Sequence, residues 1–358
     1  MLKALIMAGG AGTRLWPVSR QASPKYLLKL LGKRPLIAET VARAAAGLAM
    51  SDIYVITPME RVKDIREAVP ELPAENILAE PEGRDSAACI GYGAARLAKA
   101  DPGAVMLVMP VDHVIEPVGR FWETVHAGLP IAEKPGNLVT FGIKPTYPST
   151  ELGYLQRGEK AAQHGDISIF KLKHFREKPD EETAEGFLVE GDTYWNSGMF
   201  LWRAKTILDE MHVHLKGHAR LLDEIAGALG TEREEQVVRE CYGRFERISI
   251  DYGVMEKARN VFVVEADYQW DDVGTWAAVA HHHPEDPAGN TVLGTHVGID
   301  TDHSIIVGEK EHLIATLGVD DLIIVHTPDA TLVAHRDRAG DVKKVVAELA
   351  RLGKKELL

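Results

Sequence analysis

The stretch Leu2-Lys3-Ala4-Leu5-Ile6-Met7-Ala8-Gly9-Gly10-Ala11-Gly12-Thr13-Arg14-Leu15 runs an apolar segment straight into a glycine-rich turn. A short apolar run bounded by glycine reads as a buried strand. The small residues after it let backbone N–H groups approach a ligand, and Arg14 adds a cation, which together suit a polyphosphate. The segment continues through Trp16-Pro17-Val18-Ser19 to Pro24-Lys25, a second cation a short loop away. No Gly-Lys-Ser/Thr closes the loop, so it is not a Walker A sequence, and the third glycine of G-x-G-x-x-G is missing. A turn whose glycines serve packing alone is the plainer alternative. Thr13, Arg14 and Lys25 weigh against it.

Working outward, apolar runs at 2–8, 53–57, 76–79, 104–109 and 138–143 read as buried strands, with helical patterns at 35–49, 59–69, 85–100 and 117–133 between them. Strand-helix alternation predicts an α/β fold with a mostly parallel, doubly wound sheet, whose ligand lies at the carboxyl ends of the strands. Gly9 and Asp112 each follow an expected strand and are placed on one rim. The middle, 144–285, is less regular, with strands expected at 167–176 and 194–202 and helices at 204–228 and 231–243. From Asn290 the pattern changes to short strands at 291–299, 304–307, 313–316, 322–325 and 331–334, the spacing of a small all-β module. A helix at 339–352 follows, with Val342, Val345, Val346, Leu349 and Leu352 as an apolar stripe that suits either core or a dimer face. Pro284-Glu285-Asp286-Pro287-Ala288-Gly289 marks the boundary between a 1–285 domain and a 290–358 module.

The 358-residue chain is 45% apolar and carries a net charge of −12, which argues against a general nucleic-acid binder but not against a nucleotide ligand. Two cysteines, Cys89 and Cys241, fit neither a disulfide framework nor a metal site. No run approaches the roughly 18 apolar residues that span a bilayer, and the first apolar stretch stops at Gly9. The expectation is a cytoplasmic protein. Its sparse Asn and Gln hint weakly at thermophily.

Asp112, in Met109-Pro110-Val111-Asp112-His113, follows a buried strand, a poor place for packing and a good one for a hard cation. A second acidic pair lies in Trp270-Asp271-Asp272-Val273-Gly274-Thr275-Trp276. Two carboxylates from distant segments, meeting at a phosphate-binding rim, suit Mg²⁺. Glu177-Lys178, ahead of Trp195-Asn196-Ser197-Gly198, offers donors and acceptors suited to sugar hydroxyls, although such a pair is more often solvated surface. Glu80-Pro81-Glu82-Gly83-Arg84-Asp85-Ser86 opens the 85–100 helix, with Asp85 and Ser86 as caps and Arg84 within reach of an anion. His281-His282-His283 reads as helix-end surface.

Gly9-Gly10-x-Gly12-Thr13-Arg14-Leu15-x-Pro17 with Pro24-Lys25 resembles the signature of the sugar-1-phosphate nucleotidyltransferases. Pro110-Val111-Asp112-His113, Phe175-Arg176-Glu177-Lys178-Pro179, Trp195-Asn196-Ser197-Gly198-Met199, Ser249-Ile250-Asp251-Tyr252-Gly253-Val254-Met255-Glu256 and Trp270-Asp271-Asp272-Val273-Gly274 resemble their mannose-1-phosphate guanylyltransferase branch. The motifs stand in family order, without an isomerase domain after them, as in the short monofunctional form. The resemblance implies a Rossmann-like nucleotidyltransferase domain, a small left-handed β-helix-like module, a homodimer and the reaction GTP + α-mannose 1-phosphate ⇌ GDP-mannose + pyrophosphate with Mg²⁺. It implies that Arg14, Lys25, Asp112 and Asp272 carry the chemistry, with Asp112 and Asp272 on the metal. Ala8, Gly9, Gly10, Gly12, Thr13, Glu80, Gly83, Arg84, Asp85 and Ser86 would hold the nucleotide. Gly142, Gly153, Glu177, Lys178 and Asn196 would hold the sugar phosphate.

Two departures stand out. Asp85-Ser86-Ala87-Ala88 replaces the family's Asn-Thr-Ala-Pro, and Thr150-Glu151-Leu152-Gly153-Tyr154 replaces Thr-Gly-Tyr-Gly-Tyr. For the base, Glu80 is placed to accept guanine's paired N–H donors, or else to pair with Arg84 and shape the loop. Other readings stay open: the same chemistry with another NTP and hexose 1-phosphate, or a non-catalytic sugar-nucleotide binder. A dinucleotide oxidoreductase would need the third glycine and a downstream acidic residue.

Overall fold

The computed structural model describes residues 1–10 and 12–358; Ala11 of the glycine turn lies outside the described residues. The first eleven strands are β1 (Leu2–Met7), β2 (Ile53–Pro58), β3 (Ile77–Glu80), β4 (Val105–Pro110), β5 (Val114–Glu116), β6 (Leu138–Ile143), β7 (Tyr154–His164), β8 (Ile167–Arg176), β9 (Thr193–Arg203), β10 (Val261–Ala266) and β11 (Gln269–Asp271). Nine of them form one sheet in the order β3-β2-β1-β4-β9-β6-β10-β8-β7. β1 to β4 pair in parallel, as do β6 and β10, while β9 inserts antiparallel between β4 and β6. β8 and β9 thus run against all the other strands of the sheet.

Register places the candidate turns. Met7 pairs with both Ile56 and Pro110, and Pro58 pairs with Glu80, so the segments leaving β1, β3 and β4 start from the same edge. Among the described residues the α-helices are α1 (Leu36–Ala45), α2 (Val62–Ala68), α3 (Asp85–Ala100), α4 (Val118–Ala132), α5 (Glu181–Glu190), α6 (Ala204–His214), α7 (Lys216–Ala228), α8 (Glu234–Tyr242), α9 (Trp276–Ala280) and α10 (Val342–Arg351). α3 is rich in small residues because both its sides are covered. A Cβ at Gly93 would lie 2.4 Å from a methyl of Leu5 in β1, and one at Gly91 would lie 2.6 Å from Leu222 in α7. α3 is therefore fixed in the core, and with it the turn at its N-terminus.

Chain contacts divide the protein into two compact units. One comprises Met1–Gly9, Thr40–Val111 and Ile115–Trp270; the other comprises Gly10–Glu39, Asp112–Val114 and Asp271–Leu358. The second unit holds β12 (Thr291–Leu293), β13 (Thr295–Asp302), β14 (Ile305–Val307), β15 (Leu313–Asp320), β16 (Leu322–Thr327) and β17 (Ala330–His335). β12, β14 and β16 stack in parallel, β13 and β15 do the same, and β17 closes as an antiparallel hairpin. That is β-helix-like coiling. Ile305, Ile323, Val325 and Leu332 bury their side chains with Leu15, Trp16, Val273, Trp276 and Val279. Trp276 Nε1 donates to the Trp16 carbonyl at 3.1 Å, so the chain after the glycine turn and the chain after Asp272 are built on one core.

Several elements differ from the sequence reading. The expected 204–228 helix breaks at Leu215, whose φ of −130° and ψ of 58° are not helical. The 291–299 strand divides at Gly294, at φ 133°, where a Cβ would meet the Gly308 carbonyl oxygen at 2.6 Å. β7 and β10 fall in the stretch read as irregular; β7 is largely polar, so its apolar alternation is weak. In α10, Val342, Val346 and Leu349 pack on the core of the second unit, while Val345 and Leu352 stay exposed.

Candidate active site

In the second unit the glycine turn and two acidic segments come together. Gly10 and Gly12 have φ of 84° and 66°, a region in which side chains are disfavoured. At Gly12 the backbone has a second reason, since a Cβ would lie 2.6 Å from Lys25 Cβ. Thr13, Arg14 and Leu15 form a single 3₁₀ turn after it, with Leu15 buried, Thr13 exposed and Arg14 half-buried.

Lys25 is the hub. It is buried, and its Nζ donates to Asp112 Oδ2 at 2.7 Å and to the Asp272 carbonyl at 2.7 Å. Burial alone would raise the Asp112 carboxyl; the Lys25 ammonium, with His113, brings it below its ordinary value. Asp272 goes the other way. Burial raises it, Lys25 lowers it, and the charges of Asp271 and Asp112 raise it further. Its Oδ1 accepts from the Gly274 N–H at 3.1 Å.

The two adjacent aspartates are not equivalent. Asp271 Oδ1 accepts from the Val273 N–H at 2.6 Å, and its Oδ2 lies 3.3 Å from His282 Nε2 and 3.9 Å from His281 Nδ1. His281 and His282 stand at the end of α9, as expected, with His281 exposed, and both lie within ion-pair distance of this carboxylate. Asp271 is occupied, whereas Asp272 keeps a carboxyl held up by burial and by its negative neighbours. Asp112 and Asp272, whose charges act on one another, are the carboxylates here that could serve a hard divalent cation.

In the first unit Ala8 is buried and its N–H donates to the Ile56 carbonyl, while Gly9 is exposed. The turn after β3 is tied down on both sides. Arg84 donates to Glu82 Oε1 at 2.9 Å and to the carbonyls of Gly243 and Phe245, both at 3.1 Å. Its partner is Glu82, not Glu80. Asp85 stands at φ 68° and its carboxylate takes the Ser86 N–H, but Ser86 Oγ accepts from the Ile250 N–H rather than capping α3. Gly83 is open, with nothing near where a Cβ would be. Glu80 is drawn inward: it is 5% exposed and its Oε1 accepts from the Tyr242 hydroxyl at 3.1 Å. Burial pushes its carboxyl up to about 7 against the hydrogen bonds from Tyr242 and Cys89.

A second polar cluster, also in the first unit, collects the remaining candidates. Lys178 Nζ donates to Glu177 Oε1 at 2.5 Å. Burial alone would lower the Lys178 ammonium; the bond to Glu177 takes it above the ordinary lysine value. Asn196 in β9 is buried, and its backbone N–H donates to the Gly153 carbonyl at 2.8 Å. Gly153 leaves room for Glu177, because a Cβ there would stand 2.4 Å from Glu177 Oε2. Gly142 is in register with Asn196, and its missing side chain admits Tyr194 and Val263, each 2.7 Å from the Cβ position. The cluster also contains Asp251, to which the sequence reading gave no role although the residue lies in a quoted motif. Asn196 Nδ2 donates to its Oδ1 at 2.9 Å.

Residues 3–288 match the family described as Nucleotidyl transferase, and residues 294–349 match the MannoseP isomerase/GMP-like beta-helix domain. The mannose-1-phosphate guanylyltransferase of Escherichia coli is 35% identical over 361 residues, covering 98% of this chain and 76% of the relative. The xanthan biosynthesis protein XanB of Xanthomonas campestris pv. campestris (strain B100) is 37% identical over 358 residues, covering 98% and 74%. The crystal structure of a mannose-1-phosphate geranyltransferase from Thermus thermophilus superposes with a TM-score of 0.85 at 34% identity, covering 98% of this chain and 99% of that one. With the glycine turn, the paired aspartates and the β-helix-like module all in place, this chain belongs to the nucleotidyltransferase family, in its mannose-1-phosphate guanylyltransferase branch.

Proposed function

We propose that this protein transfers GMP from GTP to α-D-mannose 1-phosphate, giving GDP-mannose and pyrophosphate. A phosphate oxygen of the sugar phosphate attacks the α-phosphorus of GTP, the new P–O bond forms in line with the bond to the β-phosphate, and pyrophosphate leaves. A phosphate monoester is already a competent nucleophile near neutral pH, so the protein's task is alignment and charge stabilisation. Backbone N–H groups at Gly9, Gly10 and Gly12, with Thr13 and Arg14, would take the nucleotide phosphates, and Arg14 would offset charge on the leaving group. Lys25 would hold Asp112 and Asp272 in place while countering their repulsion. Those two aspartates would bind Mg²⁺, which when present neutralises phosphate charge. Glu177, Lys178 and Asn196, with Gly142 and Gly153 keeping space clear, would receive the sugar phosphate.

The observation that carries this reading is the Lys25 ammonium bonded at once to Asp112 Oδ2 and to the Asp272 carbonyl, beside the glycine turn. The same reading carries a 1–285 catalytic region, a 290–358 β module and a cytoplasmic homodimer. Pyrophosphate release from GTP and mannose 1-phosphate tests it. Asp112→Asn and Asp272→Asn should each lower kcat by at least about a hundred-fold, the scale of losing one preorganised electrostatic contact, with the circular-dichroism spectrum unchanged. Asp271→Asn should cost less. Near-normal turnover in either of the first two variants removes the metal assignment.

A further inference from the structure

Asp251 opens a π-helical turn, Asp251–Met255, a wide form of helix found mostly at functional sites. The turn is secured by Ser249, whose carbonyl accepts from the Gly253 N–H at 2.8 Å. Asp251 Oδ1 is fixed by Asn196, and the Asn196 amide has one possible orientation. Its carbonyl oxygen accepts from Thr140 Oγ1 at 3.1 Å and from the Gly198 N–H at 3.2 Å, so its NH₂ must face Asp251. One N–H of that NH₂ is used on Asp251.

The neighbourhood has too many acceptors for its donors. Glu177 lies close enough for its charge to raise the Asp251 carboxyl, which burial has already pushed up, to about 6 in all. Against these two carboxylates stand the Lys178 ammonium, already bonded to Glu177, and the Asn196 amide. The absent side chain of Gly153 lets Glu177 Oε2 sit where a Cβ would stand, which draws the Glu177 carboxylate in toward Asn196. Carboxylates gathered next to an ammonium and an amide suit a ligand with several hydroxyl donors and one anionic group.

We propose that Asp251 accepts a hydroxyl hydrogen bond from the bound hexose and, with Glu177, sets which hexose 1-phosphate is taken. This deepens the function proposed above and rests on it. A residue that merely braced Asn196 would weaken all sugars alike. A residue that touches one hydroxyl makes the enzyme sensitive to that hydroxyl alone.

The experiment pairs Asp251→Asn with monodeoxy mannose 1-phosphates at saturating GTP, with Asp251→Ser as a second variant that removes the carboxylate without adding an amide donor. In the wild type, removal of one particular hydroxyl should raise KM about ten-fold, the scale of one charge-assisted hydrogen bond. Each variant should raise KM for mannose 1-phosphate by a similar factor with little change in KM for GTP, and should show no further loss with that one deoxy sugar. If every deoxy sugar loses the same factor in variant and wild type, Asp251 touches no hydroxyl and the proposal is overturned. If the wild type turns over no hexose 1-phosphate with any NTP, the proposed function itself fails and the proposal with it.

Discussion

Asp85, Lys178 and Val273 are non-glycine residues held at positive φ, at 68°, 46° and 47°, and each stands inside one of the candidate motifs. Val273 is β-branched and buried, and Lys178 precedes a proline, whose ring disfavours helical backbone in the residue before it. Such strain persists only where the surroundings over-determine it, and it concentrates at functional sites. At Asp272-Val273 the result is a carboxylate pair split between a histidine-bound Asp271 and a less satisfied Asp272. At Lys178 it is an ammonium folded back onto Glu177. The residue types were legible in the sequence, because Gly, Arg, Lys and Asp at turn positions carry chemical meaning by themselves. Their conformations were not, because positive φ at Asp, Lys or Val follows from packing rather than from residue type. For the same reason Asp251 had no role until its bond to Asn196 was visible. Lys178→Ala should raise KM for mannose 1-phosphate about ten-fold or more while KM for GTP moves far less. Steady-state kinetics with each substrate varied in turn checks this, and the reverse ranking would assign Lys178 to the nucleotide.

α3 shows how an element sets the candidate residues at its own N-terminus. Its glycines let it sit against β1 on one side and α7 on the other, and the turn before it is pinned by Arg84 to the carbonyls of Gly243 and Phe245. Glu80 closes the same arrangement from β3 through Tyr242 at the end of α8. Burial raises Glu80 from 4.5 to about 7. A folded state with the higher value keeps a proton that the unfolded chain has released between those two pH values. The stability this contributes is complete below pH 4.5 and is lost as the pH rises through 7. Glu80→Gln should therefore flatten the fall in unfolding free energy across that window, by up to about 3 kcal/mol, as measured by urea denaturation at several pH values. An unchanged pH slope would contradict the buried-acid reading. A ten-fold drop in preference for GTP in the same variant would place the carboxyl at the base edge instead. The helices and parallel strands were legible from apolar period and turn residues. β7 was not, because half its residues face outward and are polar, and the break at Leu215 left no mark in a continuous helical pattern.

At the scale of the whole molecule, the α/β half and the β module were both legible, since alternation of strands with helices and near-even spacing of short strands are different signals. The membership of the two compact units was not. The segments 10–39 and 112–114 join the C-terminal part because Leu15 and Trp16 bury against Trp276, Val279 and the β-module strands, a choice made by long-range packing. Lys25, Asp112 and Asp272 consequently share one unit with the β module. Among the described residues no helix is long and apolar enough to cross a membrane. The central claim is nucleotidyl transfer with a definite pair of substrates, so the most direct measurement is pyrophosphate release across a grid of the four common NTPs against mannose, glucose and galactose 1-phosphates. The account predicts turnover concentrated in GTP with mannose 1-phosphate, at least about ten-fold above any other pair by kcat/KM. A maximum with UTP or dTTP and glucose 1-phosphate, or binding without pyrophosphate release in any cell of the grid, would contradict it.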